Sequence, residues 1–207
     1  MTLSFDHFIY AGRDLDAMIE RFAELTGVTP RKGGRHPGLG TMNALCSLGG
    51  DKYFELLSVD RSQKLAGTMG GRIDALPHPR LFFYMLKGQS LETVRDVMLR
   101  HGITADLFDA SREIPGGGVL RWRLLVPHDH PLWPMVPNCI DWLDSVHPAT
   151  TSVPGCTYRS FEMGHPEADT LRALFKDLDA DITVHRSDRP FMRLSIDTPK
   201  GPLLLTS

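Results

Sequence analysis

The chain has 207 residues, 42% hydrophobic and 23% charged, with a net charge of −2. That length holds one large or two small domains with a real core, and the near-neutral balance offers no basic field for nucleic acid or an anionic membrane. No run approaches the roughly 18 apolar residues a membrane span needs. The opening MTLSFDHFIYAGRDLD carries acids and no apolar core, which argues against a secretory signal. Three cysteines, Cys46, Cys139 and Cys156, form no C-x-x-C, and their odd number points to a reducing cytoplasm.

Taken in chain order, the elements repeat. Gly12, Gly88 and Gly164 recur at an interval of 76 residues, each closing a strand-like run and opening a helix-like one. The strand-like runs are LSFDHFIYAG, RLFFYMLKG and TYRSFEMG. In the first helix Leu15, Met18, Ile19, Phe22 and Leu25 form one face, with Asp14 to cap the start and Gly27 the end. Three further strands follow it, at Val28–Arg31, Thr41–Leu48 and Tyr53–Val59. The second helix carries Leu91, Val94, Val97 and Met98, capped by Ser90 and stopped by Gly102; strands at Asp106–Ala110, Leu120–Val126 and Cys139–Leu143 follow. The third has Pro166 in its first turn and Leu171, Leu174, Phe175 and Leu178 on its face, before strands at Ile182–His185, Met192–Asp197 and Leu203–Thr206. The reading is α+β, one 207-residue unit of three strand-helix-three-strand modules at about 3–60, 80–146 and 155–207.

The segment GGRHPGLGTMN, Gly33 to Asn43, lacks the Lys and Ser/Thr of a phosphate loop and the third glycine of a dinucleotide fingerprint, so it reads as a turn between strands. Alternation along Thr41–Leu48 sends Met42, Ala44, Cys46 and Leu48 toward the helix and Thr41, Asn43, Leu45 and Ser47 to the other face. Glu55 shares its face with Tyr53, Leu57 and Val59, and His7 lies between Phe5 and Ile9 on its own. A carboxylate and an imidazole in apolar stripes are costly unless paired, protonated or metal-bound, so the two mark a site.

The stretches DHFIYAGRDLD, GGRHPGLGTMNAL with YFELLSVD, SRE through LRWRL at 111–124, and IDWLDSVHP, together with the tandem βαβββ order, carry a family resemblance. The chain resembles the glyoxalase-like domain family of the vicinal oxygen chelate superfamily. That resemblance implies curved mixed sheets around a cavity with helices outside, a small-molecule ligand, and a divalent metal (Zn, Mn, Fe or Ni) on the concave face. Mapped by position, it makes His7, Glu55 and Asp141 the metal ligands, Asp141 because CIDWL aligns with YFELL. Counting back from Gly88 puts Phe83 where a second histidine belongs, so the fourth ligand is missing. Two chemistries stay open. One is an enzyme of isomerase, lyase or Fe(II) dioxygenase type, with Glu55 or His36 moving the proton. The other is a metal-free protein that binds a drug or metabolite.

Around that site, the turn delivers His36 to the cavity rim, as acid/base or as the nitrogen ligand Phe83 cannot supply, and Asn43 to the wall. Arg112 is an anion candidate, as are Arg121 and Arg123, of which one is expected to enter the cavity. His128 and His130 form an H-x-H in a proline-bounded loop, read as a solvated turn. Ser111 lacks the neighbours of a nucleophile. Modules one and two are expected to share the cavity, module three to extend the sheet or cover an edge, and the open strand edges of an odd module count to favour a homodimer.

Overall fold

A computed structural model describes residues 2–113, 118–128 and 130–207. Module one comprises β1 (Ser4–Gly12), α1 (Leu15–Thr26), β2 (Arg31–His36), β3 (Thr41–Ser47) and β4 (Tyr53–Val59). A short helix, α2 (Met69–Asp74), lies in the segment that leads to module two. That module comprises β5 (Arg80–Lys87), α3 (Leu91–Arg100), β6 (Ala105–Glu113), β7 (Val119–Pro127) and β8 (Asn138–Asp141). After a 3-10 turn at Pro148–Thr150 come β9 (Thr157–His165), α4 (Ala168–Asp177), β10 (Thr183–Arg186), β11 (Phe191–Thr198) and β12 (Gly201–Thr206).

Modules one and two build one curled eight-stranded sheet in the order β2-β3-β4-β1-β5-β8-β7-β6. In each of these two modules the first strand pairs in parallel with the last, and β1 meets β5 antiparallel at the centre. The curl brings the two ends of the sheet together, because β2 touches β6. Among the described residues the two edge strands touch there without a backbone ladder between them.

The helices form where their apolar stripes predict. The Asp14 carboxylate accepts the Ala17 N–H at 3.0 Å, and Gly27 ends α1 in the left-handed region at φ 78°. Ser90 departs from expectation: its side chain caps nothing, and its own backbone is left-handed at φ 61°. The second strand also lies later than Val28–Arg31, because the glycines read as a turn belong to β2. A bulge between Lys32 and Gly34 lets that glycine pair run in a strand, where its bare backbone admits a close neighbour.

Module three repeats the element order with different wiring. Its sheet runs β10-β9-β11-β12, so β9 pairs with the second and third strands of its module. It neither extends the eight-stranded sheet nor caps an edge. It packs on that sheet's outer face, where Phe161 meets Phe5, Phe8 and Tyr84 at ring-centroid distances of 5.2, 5.2 and 5.0 Å. The larger core lies here, joined by Met18 and Phe22 of α1, Val94 and Met98 of α3, and Leu171 and Phe175 of α4. The inner face carries a second apolar cluster, including Ile9, Leu57, Phe83, Met85, Trp122, Leu124 and Ile140.

Truncating the ring that clamps module three, Phe161→Ala, is expected to cost about 3–5 kcal/mol of stability in chemical denaturation. Leu204→Ala, at a side chain 59% exposed, is expected to change stability by less than about 0.5 kcal/mol. Equal effects of the two would contradict this packing.

Candidate functional site

The inner face of the curled sheet encloses a cavity of about 550 Å³, within the range that holds a small organic ligand. Its walls are apolar and aromatic, and its polar groups concentrate on strands of module one. Strand alternation works there as the sequence suggested: Thr41, Asn43 and Leu45 of β3 and Tyr53, Glu55 and Leu57 of β4 face the cavity. Ala44, Cys46 and Leu48 face the outer core.

On β1 simple alternation fails. A bulge between Phe5 and His7 makes Asp6 an extra residue in the pairing with β5. Phe5 joins the outer core, while His7 lines the cavity and Asp6 is fully buried. Phe5 and His7 therefore lie on opposite faces, which corrects the sequence reading.

The bulge assembles a chain of charged hydrogen bonds. His7 Nδ1 donates to Asp6 Oδ1 at 2.5 Å, and His7 Nε2 lies 3.3 Å from Glu55 Oε2. The other oxygen of Asp6 accepts His147 Nε2 at 2.7 Å and Trp142 Nε1 at 3.0 Å. The His7 ring stacks on Tyr53 at 4.3 Å. Burial alone would push the imidazole toward its neutral form, but the hydrogen bonds and charges of Asp6 and Glu55 raise it to about 9. Burial would likewise push Glu55 up, yet the hydrogen bond and charge of His7, with help from the Asn43 amide, bring it down to about 2. Burial opposes ionisation of Asp6 too, and its two histidine partners hold it well below the usual carboxylate range. The result is a buried imidazolium between two carboxylates.

Asn43 extends the chain. Its Nδ2 donates to Glu55 Oε1 at 2.6 Å and faces His36 Nε2 at 3.3 Å, while its Oδ1 accepts the Gly34 N–H at 3.1 Å. His36 Nδ1 donates to Thr41 Oγ1 at 2.9 Å. With Nε2 thus acting as acceptor, His36 is neutral, and burial lowers its pKa in the same sense. Gly33 makes room for this amide, since a Cβ there would lie 2.4 Å from Asn43 Oδ1.

The remaining expected residues divide. Arg112 lines the cavity at 8% exposure and donates from Nη1 to the Gly33 carbonyl at 2.7 Å across the seam between β6 and β2. Arg121 and Arg123 do not enter, because Trp122, Leu124 and Val126 occupy the inward positions of β7. Arg121 is exposed, and Arg123 pairs with Glu92 of α3 at 2.8 Å and with Asp109 at 3.4 Å. Asp141 also lies outside. Its Oδ1 accepts the Leu143 N–H at 3.0 Å, and the inward residues of β8 are Asn138 and Ile140. Aligning CIDWL with YFELL is thus one residue out of register, which on a strand reverses the face. His128 stands at the cavity mouth with Nε2 on Asp106 at 2.8 Å, and His130 Nδ1 accepts the Leu132 N–H at 3.2 Å, so the pair does not converge.

These positions test the implied divalent metal. His7 and Glu55 offer two adjacent donors. Opposite them stand Phe83, Met85 and Ile140, which offer no nitrogen or oxygen, and Asp141 faces away. Among the described residues no three His, Cys, Asp or Glu side chains form a metal-ligand group. The residue set does not fit a divalent metal, nor the facial donors of an Fe(II) dioxygenase.

Asp6, Trp142 and His147 escaped the sequence reading. Asp6 hides in an apolar strand and signals itself only by standing next to His7. Trp142 and His147 come from a loop distant in sequence, within the IDWLDSVHP stretch already singled out.

Two outcomes check this site. Below about pH 6.5 His7 contributes its full pH-dependent stability, which is lost as the pH rises through about 9; that of Glu55 is present above 4.5 and lost as the pH falls through about 2. The stability difference between the wild type and a His7→Gln/Glu55→Gln variant, measured by urea unfolding, is therefore expected to be flat from about pH 4.5 to 6.5 and to change on both sides. A difference independent of pH from 3 to 10 would contradict the ion cluster. Elemental mass spectrometry of protein purified without nickel resin or chelator is expected to find Fe, Mn, Zn and Ni all well below one per chain. One tightly held equivalent would overturn the donor argument.

Residues 5–178 match the family described as Glyoxalase-like domain. No curated protein matches the chain. Among solved structures, a hypothetical protein from Staphylococcus aureus superposes with a TM-score of 0.66 and 19% identity, over 99% of this chain and 85% of that one. A methylmalonyl-CoA epimerase in complex with methylmalonyl-CoA and NH4+ is similar at a TM-score of 0.52 and 17% identity, over 72% of this chain and 100% of its own. A Streptomyces coelicolor methylmalonyl-CoA epimerase, with 2-nitronate-propionyl-CoA, is similar at 0.51 and 17%, over 70% and 98%. At these identities the likeness concerns the fold. The family match spans most of the chain, and the chain belongs to the glyoxalase-like domain family.

Proposed function

We propose that the protein is a small-molecule enzyme of isomerase or lyase type that moves a proton with Glu55 and His7. The observation that carries this is a carboxylate–imidazolium pair, 3.3 Å apart, buried in a cavity whose walls are mostly apolar and aromatic. Such a pair is a poor device for stability, since well-packed apolar side chains serve as well or better. As chemistry it has a use. Glu55, held ionised, accepts a proton from a carbon acid; His7, protonated and backed by Asp6, offsets the negative charge that develops and returns a proton. A carboxylate held near 2 is a weak base, and the bond and charge of His7 are the main reason, so Glu55 gains basicity as His7 gives up its proton. His36, held neutral beside the Asn43 amide, is a second acceptor. Epimerases among the similar folds support proton transfer by analogy of fold alone. The three cysteines are free and buried, which supports work in a reducing cytoplasm.

A metal-free binding protein is the second reading, favoured by the apolar Phe83, Met85 and Ile140 opposite the charged pair. The two separate by NMR in D2O with a panel of carbon acids bearing hydrogen next to a carbonyl. The enzyme reading expects deuterium at that carbon, slowed by about 10²-fold or more in Glu55→Gln. Compounds that bind both proteins yet exchange in neither would leave the binding reading standing.

A further inference from the structure

We propose that the ligand of this cavity is a monocarboxylate with an apolar, ring-bearing body, its carboxylate seated on Arg112 and its body lying along the tryptophans. This rests on the reading above only in taking the same cavity as the site. Arg112 is 8% exposed and forms no ion pair among the described residues. One of its five N–H donors is used, on the Gly33 carbonyl, so a planar fork remains for an acceptor. A buried guanidinium with so few partners is costly by itself and is relieved by an anion. The guanidinium also stands close to the acid/base groups: the position a Gly33 Cβ would take lies 3.5 Å from Arg112 Cζ and 2.4 Å from Asn43 Oδ1. Asn43 in turn holds Glu55. A carboxylate on Arg112 would therefore place its neighbouring carbons toward the carboxylate of Glu55.

The charge count decides which anion. Next to the acid/base groups Asp6 and Glu55 are negative and His7 and Arg112 positive. Elsewhere in the lining Arg72 and Asp106 add one charge of each sign, so the site is balanced and one added negative charge is met by the unused donors of Arg112. Among the described residues no lysine lines the cavity. A phosphate dianion on Arg112 would bring two charges to a guanidinium that lies within electrostatic reach of Glu55. A carboxylate fits the fork and brings one.

The body follows from the walls. The chain has three tryptophans, and all three, Trp122, Trp133 and Trp142, line this cavity. Trp122 and Trp142 lie 5.4 Å apart by ring centroid, and Phe83, Phe108 and Met85 complete a surface suited to a flat ring. At the far side, Tyr53, His7, Met85 and Asn138 form one row across four strands. Asn138 is 2% exposed, and its Nδ2 has no hydrogen-bond partner among the described residues, which leaves a donor for an oxygen on the ligand.

The tryptophans make the test direct. Their fluorescence is titrated at fixed ionic strength with 4-phenylbutyrate, its uncharged amide 4-phenylbutanamide, and phenyl phosphate. The expected result is saturable binding with 4-phenylbutyrate about tenfold or more tighter than the other two. In Arg112→Met the acid should fall to the affinity of the amide while the amide is unaffected, which also controls for folding; Arg112→Lys should recover only part of the preference. Equal affinity for acid and amide, preference for phenyl phosphate, no saturable binding of any probe, or an unchanged acid preference in Arg112→Met would each overturn the proposal. Binding needs no turnover. A carboxylate preference without deuterium exchange would therefore sink the catalytic reading alone, and exchange without that preference would sink this one alone.

Discussion

Glu55 is an ionised carboxylate set into an apolar wall, and the site is organised around keeping it there. A charge so placed requires a positive partner and further hydrogen bonds, or it takes up a proton. His7 supplies the positive charge, but an imidazole buried in the same wall would itself lose its proton without a second carboxylate. Asp6 is that carboxylate, and it in turn needs His147 and Trp142 on its other oxygen. Each group is stable in its charged form because of the next, so the unit acts as one array rather than as separate residues.

The backbone makes this array by one irregularity. Regular alternation on β1 would put Asp6 and His7 on opposite faces of the sheet. The bulge at Asp6 keeps both on the side of the site and leaves Phe5 and Phe8 to anchor the outer core. The same strand thus serves two surfaces: the outer one holds module three, and the inner one holds the charges. Bulges that re-aim side chains next to functional sites are a recurring use of this feature.

Polarity is divided unevenly between the paired modules. Module one contributes His7, His36, Asn43 and Glu55, whereas the central positions of module two hold Phe83, Met85 and Ile140. A metal centre built from both halves would need donors on both. The halves instead divide the labour, with charge on one side and a flat apolar wall on the other, joined at the seam by Arg112. Module three has moved outside this arrangement and covers a face that would otherwise meet water.

The residue order alone determined the three modules, their helices and the inward faces of β3 and β4, because amphipathic periodicity is a local property that survives folding. It also singled out His7, His36, Asn43, Glu55 and Arg112, since polar groups in apolar stripes stand out without any knowledge of neighbours. Register and face at irregular positions were decided by the tertiary structure. A bulge changed the partners of His7, and a shift of one residue turned Asp141 outward and Ile140 inward. The inward places on β7 went to Trp122 and Leu124, so Arg121 and Arg123 stayed outside. The wiring of module three depends on strand pairing between distant segments, which composition does not encode. Asp6 joined Trp142 and His147 across most of two modules, a contact that exists only once the sheet has curled.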